Sequence, residues 1–260
     1  MKKILQEKDN KKSPLKKKPV RQAGQSLDEE INRIFDEKIG YHVVVIVFFL
    51  VLTLIEWYQW FFKVSVNPVV FSIMAVIIVA FSIKKILIYR KDIKKLQMAR
   101  DGERIVGESL ELLREKGYLV FHDIIGGDFN IDHVIVGQNG VFTIETKTIS
   151  KPAKGPSEIQ HDGERIIVDR FRPDRDPIVQ ARAQANWLRD LFKDFTGKNV
   201  SIQPVILYPG WFVSPQPKGA EVWVLNEKAL PAFLGKEPSI LSPEDVHALA
   251  AHLAHYVRNA

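Results

Sequence analysis

The chain has 260 residues, a formal net charge of +6 and no cysteine. The lack of thiols excludes a disulfide framework, a thiolate zinc site and a cysteine nucleophile. The positive charge is not spread evenly: residues 101–260 hold 18 Lys and Arg against 22 Asp and Glu, so no global basic field recruits nucleic acid to that part of the chain.

Residues 1–40 form a basic tail with 11 Lys and Arg against 7 acids. Its Lys-rich first 25 residues have too few apolar side chains to build a core and are expected to be disordered. Ser26 to Glu29 (SLDE) matches a capping box and predicts a short amphipathic helix through Ile31, Ile34 and Phe35. Such a helix suits a membrane surface, with the preceding lysines against anionic lipid; a nucleic-acid-binding tail and, foremost, a plain solvated topology signal are the competing readings.

Tyr41 to Phe62 is a 22-residue apolar stretch whose only carboxylate is Glu56, and Pro68 to Ile83 adds a run of 16 before Lys84 and Lys85. Roughly 20 residues cross a bilayer core. The first stretch is long enough, and the second reaches that length if the two lysines snorkel while Ile86 to Tyr89 continue at the interface. Trp57, Tyr58, Trp60, Phe61 and Phe62 suit a membrane–water boundary. The short loop between the runs carries only Lys63, whereas residues 84–100 hold seven basic residues against Asp92. This asymmetry predicts a two-helix transmembrane hairpin over 41–89 with both termini in the cytoplasm, followed by a basic juxtamembrane linker over 90–101. The competing reading, a hairpin buried in a soluble core, requires the remaining residues to cover it.

From Gly102 to the end the pattern is that of a soluble α/β domain. A helix is expected over Glu103–Lys116, stopped by Gly117. A strand follows over Tyr118–Ile124, then a GGDFN turn and a hairpin of two strands around Gln138-Asn139-Gly140. Pro152–Gly163 reads as a loop and Arg165–Asp169 as a strand. Asp176-Pro177 starts a helix that runs to about Phe195. Strands at Ile202–Leu207 and Val222–Leu225 and a last helix from Pro243 to about Tyr256 complete the order.

The hairpin Ile131–Lys147 (IDHVIVGQNGVFTIETK) carries three charges on apolar strands. If the turn residues are 138 and 139, Asp132 lies opposite Glu145; if they are 139 and 140, it lies opposite Lys147. Either register puts Asp132, Glu145 and Lys147 on one face of the sheet, whereas a three-residue loop sends Asp132 to the other. Two adjacent carboxylates and the Thr146 carbonyl offer hard oxygen ligands to Mg²⁺ or Mn²⁺. Such an ion lowers the pKa of bound water and neutralises a scissile phosphate, while Lys147 orients the nucleophile and stabilises developing negative charge. An ion pair on an exposed strand is the competing reading.

Glu108 shares a helical stripe with Ile105 and Leu112, which predicts an inward-facing carboxylate in need of a partner. Gln180 and Gln184 share one face of the later helix, and one of them is expected to reach the same centre. Lys151 and Arg172, with Lys154, Arg165, Arg170 and Arg175 nearby, are candidates for a phosphate-contacting rim. His252 and His255 lack a third ligand for zinc, His133 points to the strand face opposite Asp132, and neither a full phosphate loop nor a G-x-S-x-G elbow is present.

GERIVGESLELL, IDHVIVGQNGVFTIETKT and DPIVQARAQANWL together resemble the NERD (nuclease-related) domain, a branch of the PD-(D/E)xK restriction-endonuclease-like superfamily. The resemblance covers roughly Gly102 to Tyr208. It implies an α/β fold with a restriction-endonuclease-like αβββαβ core, here with C-terminal strand and helix additions and a preceding transmembrane hairpin. It further implies divalent-metal-dependent phosphodiester hydrolysis at Asp132, Glu145 and Lys147. Glu108 matches the family's helix-borne glutamate and Gln180 the glutamine after its Asn-Pro, which is Asp176-Pro177 in this chain. The expectation is thus a membrane-anchored nuclease facing the cytoplasm, with nucleic acid, DNA foremost, and the lipid bilayer as partners. Two alternatives are a non-catalytic module of the same fold that docks nucleic acid or a protein at the membrane, and a membrane sensor in which the tail and hairpin matter more than the domain.

Overall fold

In the computed structural model, residues 20–63, 68–151, 158–168, 176–217 and 219–259 are described. The extreme N-terminal tail, Lys154, Arg170, Arg172 and Arg175 lie outside them.

The two apolar stretches form helices because their long unbroken runs of Val, Ile, Leu and Phe satisfy every backbone group internally. α1 (Gln25–Arg33) leads through a π-helical turn (Ile34–Ile39) into α2 (Gly40–Phe61), and α3 spans Pro68–Glu111 before a 3₁₀ turn over Leu112–Lys116. Both long helices are apolar enough to cross a membrane. Their outward faces are bare: Leu54 is 70% exposed, Val76 69% and Ile77 63%. The helices pack through small or polar side chains, with Ala75 and Ser82 of α3 buried seven residues apart and His42 of α2 set against Phe81 and Tyr89. At the loop end the Trp57 indole donates to Ser72 Oγ at 2.9 Å.

α3 has 44 residues, so it is roughly 66 Å long. Residues 90–101 are part of this helix. The expected start of a domain helix at Glu103 therefore does not exist as a boundary. No Pro or Gly interrupts Val69–Asp101, and Gly102 alone does not break the ladder. The helix ends as expected, with Gly117 at φ 85°.

β1 (Leu119–Ile125), β2 (Asn130–Gly137) and β3 (Gly140–Thr146) form an antiparallel meander. α4 (Pro177–Thr196) then crosses over to β6 (Ile202–Leu207), which pairs in parallel with β3, and β8 (Trp223–Leu225) pairs in parallel with β6. The sheet order is β1-β2-β3-β6-β8. The end of α3, three strands, α4 and β6 reproduce the αβββαβ core. Tyr118, Phe142, Trp223 and Leu230 help fill one face of the sheet, and Phe121, Leu188, Phe192 and Leu253 the other. β4 (Glu158–His161), β5 (Ile166–Val168) and β7 (Phe212–Val213) make a second small sheet, and α5 (Leu230–Leu234) and α6 (Pro243–Asn259) follow the core.

Three expectations change. Glu158–His161, placed in a loop by its polar residues, is a strand whose alternate residues Ile159 and His161 are buried. β7 and α5 were not expected, being too short to show a period. α1 begins one residue before Ser26, with Gly24 as its N-cap and no side-chain cap. Instead of capping the helix, Ser26 Oγ donates to Asp123 at 2.6 Å.

Candidate active site

The hairpin register puts Gly137 opposite Gly140 and His133 opposite Ile144, which continues to Asp132 opposite Glu145. This is the first of the two registers considered, with a turn at residues 138 and 139. Asp132 Oδ2 accepts the Thr146 backbone N–H at 2.6 Å. Lys147 leaves β3 just past its end, where its own N–H is held by the Leu207 carbonyl of β6 at 2.8 Å. The charges thus sit at the carboxyl ends of the parallel pair β3 and β6, where open α/β sheets place their ligands.

α4 supplies the opposite wall. The Asp176 side chain caps its first turn by accepting the Ile178 N–H at 3.0 Å, and Pro177 occupies the first helical position. Gln180 and Gln184, one turn apart, both reach Glu145. Glu145 Oε1 accepts from Lys147 Nζ at 2.6 Å and from Gln180 Nε2 at 2.8 Å, and Gln180 Oε1 accepts from Lys147 Nζ at 2.9 Å. Gln184 Nε2 donates to Glu145 Oε2 at 2.6 Å and to the Asn130 carbonyl at 2.9 Å. The ammonium is therefore held by two acceptors and presented at a half-buried position.

Residues 99–209 match the family model described as the nuclease-related domain, NERD. This stretch is similar to the nuclease-related domain. Comparison with curated proteins and with solved structures gave no match.

The inward-facing carboxylate expected at position 108 of α3 is found at another position. Glu108 is exposed, as are Ile105 and Leu112 on the same stripe, at 53% and 65%. The buried face of α3 is Gly102, Glu103, Val106, Gly107, Leu110 and Leu113. Glu103, at 8% exposure, is the buried carboxylate of this helix, close enough to Asp123, Glu145 and Lys147 to feel their charges. Two glycines hide this face from a reading based on apolar residues. A Cβ on Gly102 would lie 1.7 Å from Thr148 Oγ1, and one on Gly107 would lie 2.9 Å from Ala23 Cβ. Close approach, rather than bulk, marks the packed side.

The acids repel one another. Burial, with Asp123 and Glu145 nearby, pushes the Glu103 carboxyl up to about 8. Burial, with Glu145 and Glu103 nearby, pushes Asp132 well above the usual carboxylate range, against the pull of the Thr146 N–H. A divalent cation fits such a set, because its charge offsets the repulsion and the donors are hard oxygens. Gln184 Oε1, buried without a hydrogen-bond partner, adds a polar atom on the α4 side. Among the described residues no three His, Asp or Glu side chains converge on one point. A divalent ion held between Asp132, Glu145 and the Thr146 carbonyl would keep several waters.

Of the two proposed substrate contacts, Arg172 lies outside the described residues. Lys151 is engaged within the chain, donating to the Gly210 carbonyl at 2.5 Å and lying over the Trp211 ring at 5.4 Å. A cavity of about 540 Å³ opens beside Thr148, but its lining has Asp101 and Glu227 against Lys94, which does not suit a phosphate. His133 lies on the far strand face as expected. It is fully buried with Nδ1 2.8 Å from Nδ1 of His122, and burial holds it well below the usual imidazole range, so it is neutral.

Proposed function

We propose that the chain is a membrane-anchored, divalent-metal-dependent nuclease that hydrolyses nucleic-acid phosphodiester bonds on the cytoplasmic side. The observation that carries this reading is the junction of Asp132, Glu145 and Lys147 with Gln180 and Gln184 at the end of β3. Asp132, Glu145 and the Thr146 carbonyl would hold the ion. Bound there, Mg²⁺ or Mn²⁺ supplies an acidified water and charge neutralisation at the phosphate.

The chain's own groups do the positioning. Lys147, fixed by Glu145 and Gln180, orients the attacking water and meets negative charge as it develops on the phosphoryl oxygens. Gln180 and Gln184 hold the Glu145 carboxylate in one rotamer, so little reorganisation remains at the moment of reaction. Glu103, which keeps its proton in the metal-free fold, would release it as a cation's charge arrives nearby. The acidic total of residues 101–260 makes the metal and the local lysine, not a basic surface, the source of attraction for phosphate. The two apolar helices support the anchor, and the basic residues flanking them support cytoplasmic termini.

The test is cleavage of single- and double-stranded DNA and RNA by the full chain in detergent with Mn²⁺ or Mg²⁺. Lys147→Ala, with folding checked by circular dichroism, is expected to lower the rate by about 10²-fold or more, as loss of a transition-state charge contact does. A variant that cuts like wild type removes Lys147 from the mechanism.

A further inference from the structure

The chain on both sides of the apolar hairpin meets at Glu103. From the C-terminal side, α3 carries Glu103 directly. From the N-terminal side, the segment Arg21–Asp28, which precedes the hairpin and lies outside the nuclease-related match, crosses the same face of α3. Gly24 takes φ 71°, which suits glycine, and packs against α3 just before Glu103, where a Cβ would stand 2.9 Å from Arg100 Cγ. Ala23 fits against Gly107, where any side chain would collide with it. Arg21 Nε donates to Asp123 Oδ2 at 2.6 Å, and the Ser26 N–H and hydroxyl donate to the two Asp123 oxygens at 3.0 and 2.6 Å. Asp28 accepts from Arg100 Nη1 at 3.1 Å and also from Arg104, which ties the segment to α3 just before Glu103.

Asp123 shows how far the sheet is shaped to receive this segment. It is 1% exposed and sits at φ 51°, an uncommon conformation for a non-glycine residue inside a strand. Apart from a 3.4 Å contact with Asn130, its hydrogen bonds given by the structure come from Arg21 and Ser26. A buried carboxylate held in a costly backbone conformation persists only where its partners stay in place.

We propose that Arg21–Asp28 is a positioning strap for the nuclease site: by clamping the buried face of α3 around Glu103 and holding Asp123 against Asn130, it keeps the site in the arrangement in which the Asp132–Glu145 pair takes up the metal. The proposal rests on the nuclease reading above and adds that the site is built by chain from both arms of the hairpin. α1 continues without a loop into α2, and α3 carries Glu103 itself, so a change in the packing of the two apolar helices is transmitted to the carboxylates through the strap.

The absence of native cysteine permits a reversible test in the full chain. Arg21→Ala/Ser26→Ala/Asp28→Ala removes the three side-chain anchors of the strap while leaving every proposed metal ligand. Ala23→Cys/Gly107→Cys, whose Cβ atoms need to separate by only about 1 Å to reach disulfide geometry, refastens it when oxidised. The readouts are Mn²⁺ affinity by titration calorimetry and cleavage rate, with circular dichroism as the folding control. The unanchored variant is expected to bind Mn²⁺ at least tenfold more weakly and to cleave correspondingly more slowly. Oxidation of the cysteine pair in that background restores both, and a reductant removes them again; loss that tracks the thiol state is not produced by a merely destabilised fold. If the unanchored variant binds Mn²⁺ as wild type does, or the closed disulfide leaves the defect unchanged, the strap does not position the site. If wild type shows no Asp132-dependent Mn²⁺ binding at all, the nuclease reading fails and this proposal falls with it.

Discussion

The pair Glu103 and Glu108 shows where residue-level reasoning succeeds and where it stops. The grouping of Asp132, Glu145, Lys147 and Gln180 was legible because strand alternation and the four-residue helical repeat fix which side chains share a face whatever surrounds them. The buried face of α3 was not, because the helix carries two stripes and the buried one includes Gly102 and Gly107, which no hydrophobicity pattern marks. Glu103 also gives a pH signature. Its carboxyl is near 4.5 in the unfolded chain and about 8 in the fold, so the folded state keeps a proton that the unfolded chain releases. The stability this contributes is complete below about pH 4.5 and is lost as pH rises through about 8. With a chelator present, Glu103→Gln is expected to flatten the fall in Tm between those limits and to raise Tm at pH 8. A Glu103→Gln profile parallel to wild type would show that Glu103 is not the protonated group.

At the scale of elements, the long periodic segments were visible and the short ones were not. α2, α3, α4 and the hairpin follow from apolar run length, an Asp-Pro cap and the Gln138-Asn139-Gly140 turn signal. β4, β7 and α5 have five residues or fewer, and their burial is decided by neighbours distant in sequence. The capping box at Ser26 misled because its hydroxyl had a better acceptor in Asp123, a tertiary contact that local sequence does not encode. The close packing of α3 on the end of β3 yields its own prediction. Gly102→Ala puts a methyl where Thr148 Oγ1 stands, so it is expected to destabilise the fold by about 1–3 kcal/mol and to lower metal-dependent cleavage by shifting the residue next to Lys147. Paired Tm and rate measurements check both. An unchanged rate would show that this contact does not locate Lys147.

For the whole molecule, continuity is the informative feature. The residues expected to form a linker are helical, and Glu103 lies 18 positions beyond Lys85 on the same rod, roughly 27 Å along its axis. The site is therefore held at a set height above the apolar segment rather than tethered loosely, and the strap returns along the same rod to close the connection. Inserting Gly-Gly-Ser-Gly after Lys95 is expected to separate Asp28 from Arg100 and Arg104, lowering both Tm and Mn²⁺ affinity, although no residue of the site is altered. A fully active insertion variant would show that the domain works independently of the hairpin. The central claim, that the three charges on one hairpin form a metal site, is tested most directly by calorimetric titration of Mn²⁺ and Mg²⁺ into the full chain in detergent, with Asp132→Ala alongside. The account predicts binding by wild type that disappears in the variant while its circular dichroism is unchanged. Equal binding by both proteins, or none by the folded wild type, would contradict it.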